Sequence, residues 1–190
     1  MIILASKSPR RQELLRLLGV DYKIITEDID ETMDPSLPPE AEVRRVSACK
    51  AQAVAPLASA QDIIISADTI VVLDDRVMGK PKSAQEAVEM LEALSGRTHR
   101  VMTGLTVRQG ERSECVAVIT EITFRPLSAR EIRAYVASGE PMDKAGAYGI
   151  QGGASVFVSH LSGDYFNVMG LPVCTLTQLL RSFGVPVLED

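Results

Sequence analysis

The stretch Ile2-Ile-Leu-Ala-Ser-Lys-Ser-Pro-Arg-Arg-Gln-Glu-Leu-Leu-Arg-Leu-Leu-Gly19 decides how the chain is read. Ile2, Ile3 and Leu4 suit a buried strand, and Ser8 followed by Pro9 supplies an N-cap and a first helical turn. Leu14, Leu15, Leu17 and Leu18 recur at helical spacing until Gly19 stops the helix. Where a strand feeds a helix in this way, free backbone N–H groups and the positive end of the helix dipole meet at the junction. The dipole alone would favour Asp or Glu in the first turn, yet Arg10 and Arg11 stand there. Two guanidinium forks make local sense if an anion sits opposite them, because they match phosphate oxygens in bidentate pairs. The alternative is an ordinary capped helix with two solvated arginines.

Working outward, Tyr22 to Ile25 reads as a strand. Thr26 to Pro39 is an acidic, proline-containing loop carrying Asp28, Asp30, Glu31 and Asp34. A solvated loop is the plain reading of those carboxylates, although one could give an oxygen ligand to a hard cation. From Glu40 to Val54 a helical stripe runs through Val43, Val46, Lys50 and Val54. A lysine there snorkels to the surface unless a phosphate awaits it. Ile63-Ile-Ile-Ser-Ala-Asp-Thr69 is the most strand-like run, and it delivers Asp68 and Thr69 to the strand's expected end, where ligands sit in mixed α/β sheets. Ile70 to Leu73 continues extended and Asp74-Asp75-Arg76 turns. A helix follows from Ser83, with a capping box to Glu86, as far as Leu94. Thr98–Arg108 and Ser113–Phe124 form a hairpin around Gln109-Gly110-Glu111. Ser128 and Glu131 cap the next helix, to Ser138. Gly139 to Gly153 holds five glycines and little hydrophobic period, and a long loop of that kind inside a domain is usually functional. Ala154 to Leu161 reads as a strand, Gly163-Asp164-Tyr165 as a turn, and Pro172 to Phe183 as a last helix closed by Gly184.

These elements fit one α/β domain of 190 residues, 46% hydrophobic and without a long uncharged apolar run. The apolar start has no basic n-region and meets Lys7, Arg10 and Arg11 early, so the expectation is a cytoplasmic protein without a membrane partner. A formal net charge of −5 argues against nucleic-acid binding while leaving room for a local basic pocket. Cys49, Cys115 and Cys174 are odd in number and widely spaced, which predicts buried free thiols and no disulfide or zinc framework.

Familiar catalytic devices are missing. Only His99 and His160 are present, and no G-x-S-x-G elbow occurs. Gly79-Lys80-Pro81 fails as Walker A, because Asp74 stands where the first glycine belongs and Pro81 follows the lysine. Gly146, Gly149 and Gly152 do not open a helix after a strand, so a dinucleotide fingerprint fails too. What remains is a dispersed set, with Arg10, Arg11, Lys50 and Lys80 as cations and Asp68 with an upstream acid as anions. That set suits phosphate ester or anhydride chemistry with Mg²⁺ or Mn²⁺.

Eight stretches, in order, carry a resemblance: LASKSPRR (4–11), DE (30–31), KA (50–51), ADTIV (67–71), GKP (79–81), SGRTHRVMTG (95–104), GEPMDKAGAYGIQG (139–152) and GDYFNVMGLP (163–172). Together the chain resembles the Maf family of nucleotide pyrophosphatases along nearly its whole length. The resemblance implies an elongated mixed sheet flanked by helices, related to the inosine-triphosphate pyrophosphatases, with a cleft between two lobes and commonly a homodimer. It also implies hydrolysis of a nucleoside triphosphate substrate to the monophosphate and pyrophosphate, with a divalent cation.

Residue by residue, the resemblance makes Asp68 the general base, with metal ligation as the alternative or additional duty, and Glu31 the second acid and metal ligand. It gives Ser8, Arg10, Arg11, Lys50 and Lys80 to the phosphates. Arg10, Thr69 and Gln151 match the subgroup acting on dTTP and UTP. A glutamine amide can pair with O4 and N3–H of uracil or thymine, although a flipped amide could follow cytosine, and Gln151 could instead merely tie the glycine loop together. Arg97, His99 and Lys144 fall in matched motifs with structural duty as the default. The rival reading is a nucleotide-binding regulator of septum formation. Asp68 separates the two, since a binder has no need of a carboxylate where water must attack.

Overall fold

The computed structural model describes residues 1–188. Strands are β1 (Ile2–Leu4), β2 (Tyr22–Ile24), β3 (Ile63–Leu73), β4 (Arg76–Met78), β5 (Thr98–Gln109), β6 (Arg112–Phe124) and β7 (Val158–Ser162). Helices are α1 (Pro9–Arg16), α2 (Pro39–Val54), α3 (Ala84–Leu94), α4 (Ala129–Ala137), α5 (Tyr165–Met169) and α6 (Val173–Ser182). The strands form one mixed sheet of seven in the order β2-β1-β3-β5-β6-β7, with β4 paired to β3. The chain divides into two compact units, one of Met1–Asp68, Thr103–Val118 and the chain from Gly170 onward, the other of Thr69–Met102 and Ile119–Met169.

In the first unit β1 runs parallel to both β2 and β3, with Leu4 opposite Ile24 and Ile65. Parallel central strands are buried on both faces, which is why Ile2–Leu4 and Ile63–Ile65 are uninterrupted apolar runs. Helix α2 lays Val43, Val46, Ala51 and Val54 inward, and Ala51 and Val54 join Ile3, Ala5 and Ile64 in one cluster. Gly104 of β5 explains itself here. A Cβ at that position would fall 2.0 Å from the Val43 carbonyl oxygen, so strand and helix backbones meet at a distance only glycine permits.

In the second unit β3 turns back into β4 through Asp74 and Asp75, both at positive φ (49° and 61°). A two-residue hairpin needs that conformation, and Asp tolerates it better than most residues. α3 packs against α4. The Ser128–Glu131 capping box forms as expected, whereas at α3 Ser83 accepts from Glu86 N–H but the Glu86 carboxylate turns to the Lys82 N–H. Five rings, His99, Phe124, Tyr135, Tyr148 and Phe157, meet edge-to-face.

Several expectations need correction. Asp68 is not at a strand end, since β3 continues to Leu73; it stands three residues beyond the last β1 partner, so the carboxyl end it marks is that of β1. Ala154–Phe157 is a 3₁₀ turn and only Val158–Ser162 is strand, because Ala154 and Phe157 bury at a spacing of three where a strand would alternate. The Gly139–Gly153 loop is wound into short 3₁₀ turns over Glu140–Asp143 and Ala145–Ala147. The turn expected at Gly163-Asp164-Tyr165 leads into helix α5, which Asp164 caps through the N–H groups of Phe166 and Asn167. The cysteines are free thiols, but Cys174 is exposed and the other two half-buried, because Cys174 falls on the outer side of α6 away from Leu176, Leu179 and Leu180. Leu17 is exposed beyond the end of α1.

Candidate active site

Ser8 occupies the N-cap position of α1, yet its hydroxyl makes no capping hydrogen bond. Ser6, which sequence reasoning passed over, organises the β1–α1 connection instead. Its buried Oγ accepts from the Ser8 N–H (3.2 Å) and from Arg11 Nη1 (3.3 Å). Arg11 also donates Nε–H to the Gly170 carbonyl at 2.8 Å, drawing the guanidinium into the unit and away from bulk solvent. Burial lowers its pKa, the charge of Asp68 opposes that shift, and neighbouring Arg10 and Glu31 act in opposite directions. An arginine stays protonated through such a shift, so the consequence is a poorly hydrated cation facing carboxylates.

Lys50 does not snorkel. Its Nζ donates to Asp68 Oδ1 at 2.8 Å and lies 3.1 Å from Glu31 Oε1. Lys50 and Asp68 side chains are only 14% and 16% exposed, whereas Glu31 is 57% exposed, so the first contact is shielded and the second is screened by water. A second tie fixes the same geometry. Ser66, two residues before Asp68 and therefore on the same face of β3, donates to the Ser47 carbonyl at 2.6 Å, and Ser47 lies one turn before Lys50 on α2.

Glu31 sits on a loop without regular structure, and what holds that loop is a pair the sequence did not single out. Glu42 is buried at 1% exposure and takes a two-bond fork from Arg45, Nε at 2.9 Å and Nη2 at 2.6 Å. Arg45 Nη2 then reaches the Thr32 carbonyl at 2.9 Å, and Glu42 Oε1 accepts from the Asp34 N–H. The Arg45 hydrogen bond holds the Glu42 pKa below the ordinary glutamate range. The signal available in sequence was an i,i+3 Glu–Arg pair on α2, which also occurs on solvated helices.

The first unit thus brings together Ser6, Arg11, Glu31, Lys50 and Asp68, with Ser8 at the N-cap and Arg10 in the first turn of α1. Lys80 is exposed just after β4 in the second unit. Thr69 is half-buried and, by strand alternation, faces the side of β3 opposite to Asp68. Gln151 is exposed, and the hydrogen bonds that hold its loop come from Tyr135, Glu140 and backbone groups, not from Gln151 itself. Arg97 pairs with Asp74, and Lys144 donates to Asp143 and the Glu140 carbonyl. His99 is 2% exposed, bonded through Nε2 to Tyr148, and burial lowers its pKa to about 4.

Among the described residues no three His, Cys, Asp or Glu side chains converge to hold a metal alone. Asp68 and Glu31, both on Lys50 Nζ, are the donors on hand. Two hard carboxylate oxygens fit Mg²⁺ or Mn²⁺ when phosphate oxygens and water complete the octahedron, and fit zinc poorly.

The fold and this cluster define an α/β protein whose clustered carboxylates and cations suit a polyphosphate and a hard cation. The chain belongs to the Maf family: the family model described as Maf-like protein matches residues 1–183. It is 47% identical over 186 residues to a protein of Bacillus cereus (strain AH820) named dTTP/UTP pyrophosphatase, covering 98% of this chain and 97% of that one. It is 46% identical over 188 residues to a protein of the same name from Desulforamulus reducens, covering 98% of each. Among solved structures, the Staphylococcus aureus Ham1 protein superposes with a TM-score of 0.52 at 15% identity over 95% of this chain and 98% of that one. A HAM1 protein from Coxiella burnetii superposes at 0.51 and 17% identity with the same coverage. At such identities the likeness is one of fold.

Proposed function

We propose that the chain is a metal-dependent nucleoside triphosphate pyrophosphatase acting foremost on dTTP and UTP. It cleaves the α–β anhydride to give the monophosphate and pyrophosphate. The relatives' names support the substrate. The observation that carries the chemistry is the convergence of Asp68 and Glu31 on Lys50 beside the desolvated Arg11. A bound Mg²⁺ or Mn²⁺ supplies charge neutralisation and polarises water.

The chain's own residues do the rest. Lys50 donates to Asp68 Oδ1, and a triphosphate competes for that ammonium. Once Lys50 turns to the phosphates, Asp68 is left with an unpaired oxygen that accepts the proton lost by attacking water. Arg11, part-buried beside Asp68, pairs with the phosphates and disperses the charge that grows on the leaving pyrophosphate. Ser8, Arg10 and Lys80 add phosphate contacts, Glu31 shares the metal with Asp68, and Arg10, Thr69 and Gln151 select the base.

The test is pyrophosphate release from a panel of nucleotides with Mg²⁺, with Mn²⁺ and with chelator. Release from dTTP and UTP well ahead of CTP, ATP and 7-methyl-GTP, abolished by chelator, is expected. If 7-methyl-GTP were the best substrate, the subgroup assignment would be wrong; if no nucleotide released pyrophosphate, the enzyme reading would be wrong.

A further inference from the structure

Glu140, at the start of the glycine-rich loop and just before Pro141, ties that loop together through its carboxylate. Glu140 Oε1 accepts the Tyr135 hydroxyl proton at 3.0 Å, and Oε2 accepts the Gly153 N–H at 2.9 Å. The Tyr135 oxygen in turn accepts the Gly149 N–H at 3.1 Å. Between those two amides lies a tight turn closed by the Gly152 N–H on the Gly149 carbonyl at 3.1 Å, with Ile150 and Gln151 as its central residues. Ile150 is buried and Gln151 is exposed, so the turn anchors one side chain and offers the other.

Gly152 leaves room for this carboxylate, since a Cβ there would fall 2.0 Å from Glu140 Oε1; a Cβ on Gly153 would press on the Tyr135 ring at 3.2 Å and one on Gly149 on Lys144 Cε at 2.7 Å. Tyr135 is itself held by its ring against Phe157. Nothing in this arrangement is spent on Gln151, whose amide remains available.

We propose that Glu140, acting with Tyr135, is the positioning residue for base selection: its carboxylate fixes both flanks of the Gly149–Gly152 turn and so sets the direction in which Gln151 presents its amide. The inference rests on the dTTP/UTP reading given above. A turn fixed at both flanks fixes the backbone position and Cα–Cβ direction of Gln151, so its amide meets a base from one side, whereas a loose turn lets it reach uracil and cytosine edges from several positions. Glu140 thereby sets a preference while touching no substrate.

Glu140→Gln and Tyr135→Phe test this, with kcat/KM measured for dTTP and CTP in wild type, each variant, Gln151→Ala, and each variant combined with Gln151→Ala. Both conserve shape, and Tyr135→Phe keeps the ring packing should Glu140→Gln fold poorly. Loss of a charge-assisted bond costs on the order of a tenfold factor. The dTTP-to-CTP ratio is therefore expected to narrow about tenfold in each variant, with hydrogen exchange at the Gly149 and Gly153 amides accelerated, and with no additional narrowing on the Gln151→Ala background. A purely structural role would lower both substrates equally. Equal losses, or an unchanged ratio, in a protein whose Gln151→Ala variant does narrow the ratio would overturn the role of Glu140 while leaving the base reading intact. If wild type does not prefer dTTP over CTP, the base reading fails and this inference falls with it.

Discussion

Replacing Arg11 with alanine separates its two duties. Its bonds include a strong one, Nε to the buried Gly170 carbonyl at 2.8 Å, and a weaker one, Nη1 to Ser6 Oγ at 3.3 Å. A hydrogen bond from a charged donor contributes about 1.5–3 kcal/mol, and relief of the guanidinium's desolvation offsets part of its loss. A net destabilisation of about 1–2 kcal/mol is expected, which for a chain of this size lowers Tm by roughly 2–8 °C. Activity falls further, because the folded variant also lacks the phosphate partner: kcat/KM for dTTP at 25 °C is expected to drop about 10- to 100-fold. Arg11→Lys restores the charge but not the fork, so it recovers part of the activity and little of the melting temperature. Thermal melts and pyrophosphate-release kinetics on the same preparations supply both readouts. A lowered Tm with kcat/KM within twofold of wild type would make Arg11 a structural tie and refute its place on the phosphates.

Arg45→Ala removes the bond to the Thr32 carbonyl and loosens the loop that carries Glu31. The Mg²⁺ concentration for half-maximal activity is expected to rise about tenfold with kcat at saturating Mg²⁺ near wild type, as for other supporting groups around a metal; a metal titration that superposes on wild type would disprove the link. His99 gives a pH effect. Its folded pKa of about 4 lies below the ordinary 6.5, so the unfolded chain binds the extra proton between these values, and stability present above pH 6.5 is lost as pH falls toward 4. The loss amounts to about 3 kcal/mol at most. Urea titrations from pH 7 to pH 4.5 should show a decline that flattens in His99→Phe; an identical decline would assign the acid sensitivity elsewhere.

Most of the fold was legible in the sequence because its signals are local. Ile2–Leu4 and Ile63–Ile65 are apolar runs of the kind that only a doubly covered parallel strand demands, and Gly19, Gly110 and Gly184 sit at positive φ where their turns require it. Ser128 and Glu131 announced α4 by spacing alone. Where reading failed, a longer-range contact decided. The Val156-Phe157-Val158 run has a strand's composition, but burial of Ala154 and Phe157 wound its first part into a 3₁₀ turn. Lys50 was legible as a cation on an inward stripe, yet its destination, 18 residues along the chain at Asp68, depends on α2 crossing β3. Ser6 and Glu42 were missed because a serine in a turn and a glutamate on a helix are ordinary on a surface; burial gives them their roles, and no local pattern encodes burial. Glu140 lay inside one of the matched stretches, yet its hold on the Gly149–Gly152 turn rests on contacts with Tyr135 and Gly153 that no local pattern encodes.

The most direct measurement is single-turnover pyrophosphate release from dTTP by Asp68→Asn with saturating Mg²⁺, alongside dTTP affinity by calorimetry. The substitution keeps the shape of the side chain and the reach to Lys50 while removing the charge that accepts a proton and holds metal. The expected result is a fall in the chemical step of on the order of 10³, with dTTP bound as well as before or tighter because a carboxylate no longer faces the phosphates. Turnover within a few-fold of wild type would contradict the assignment of Asp68 to the chemistry.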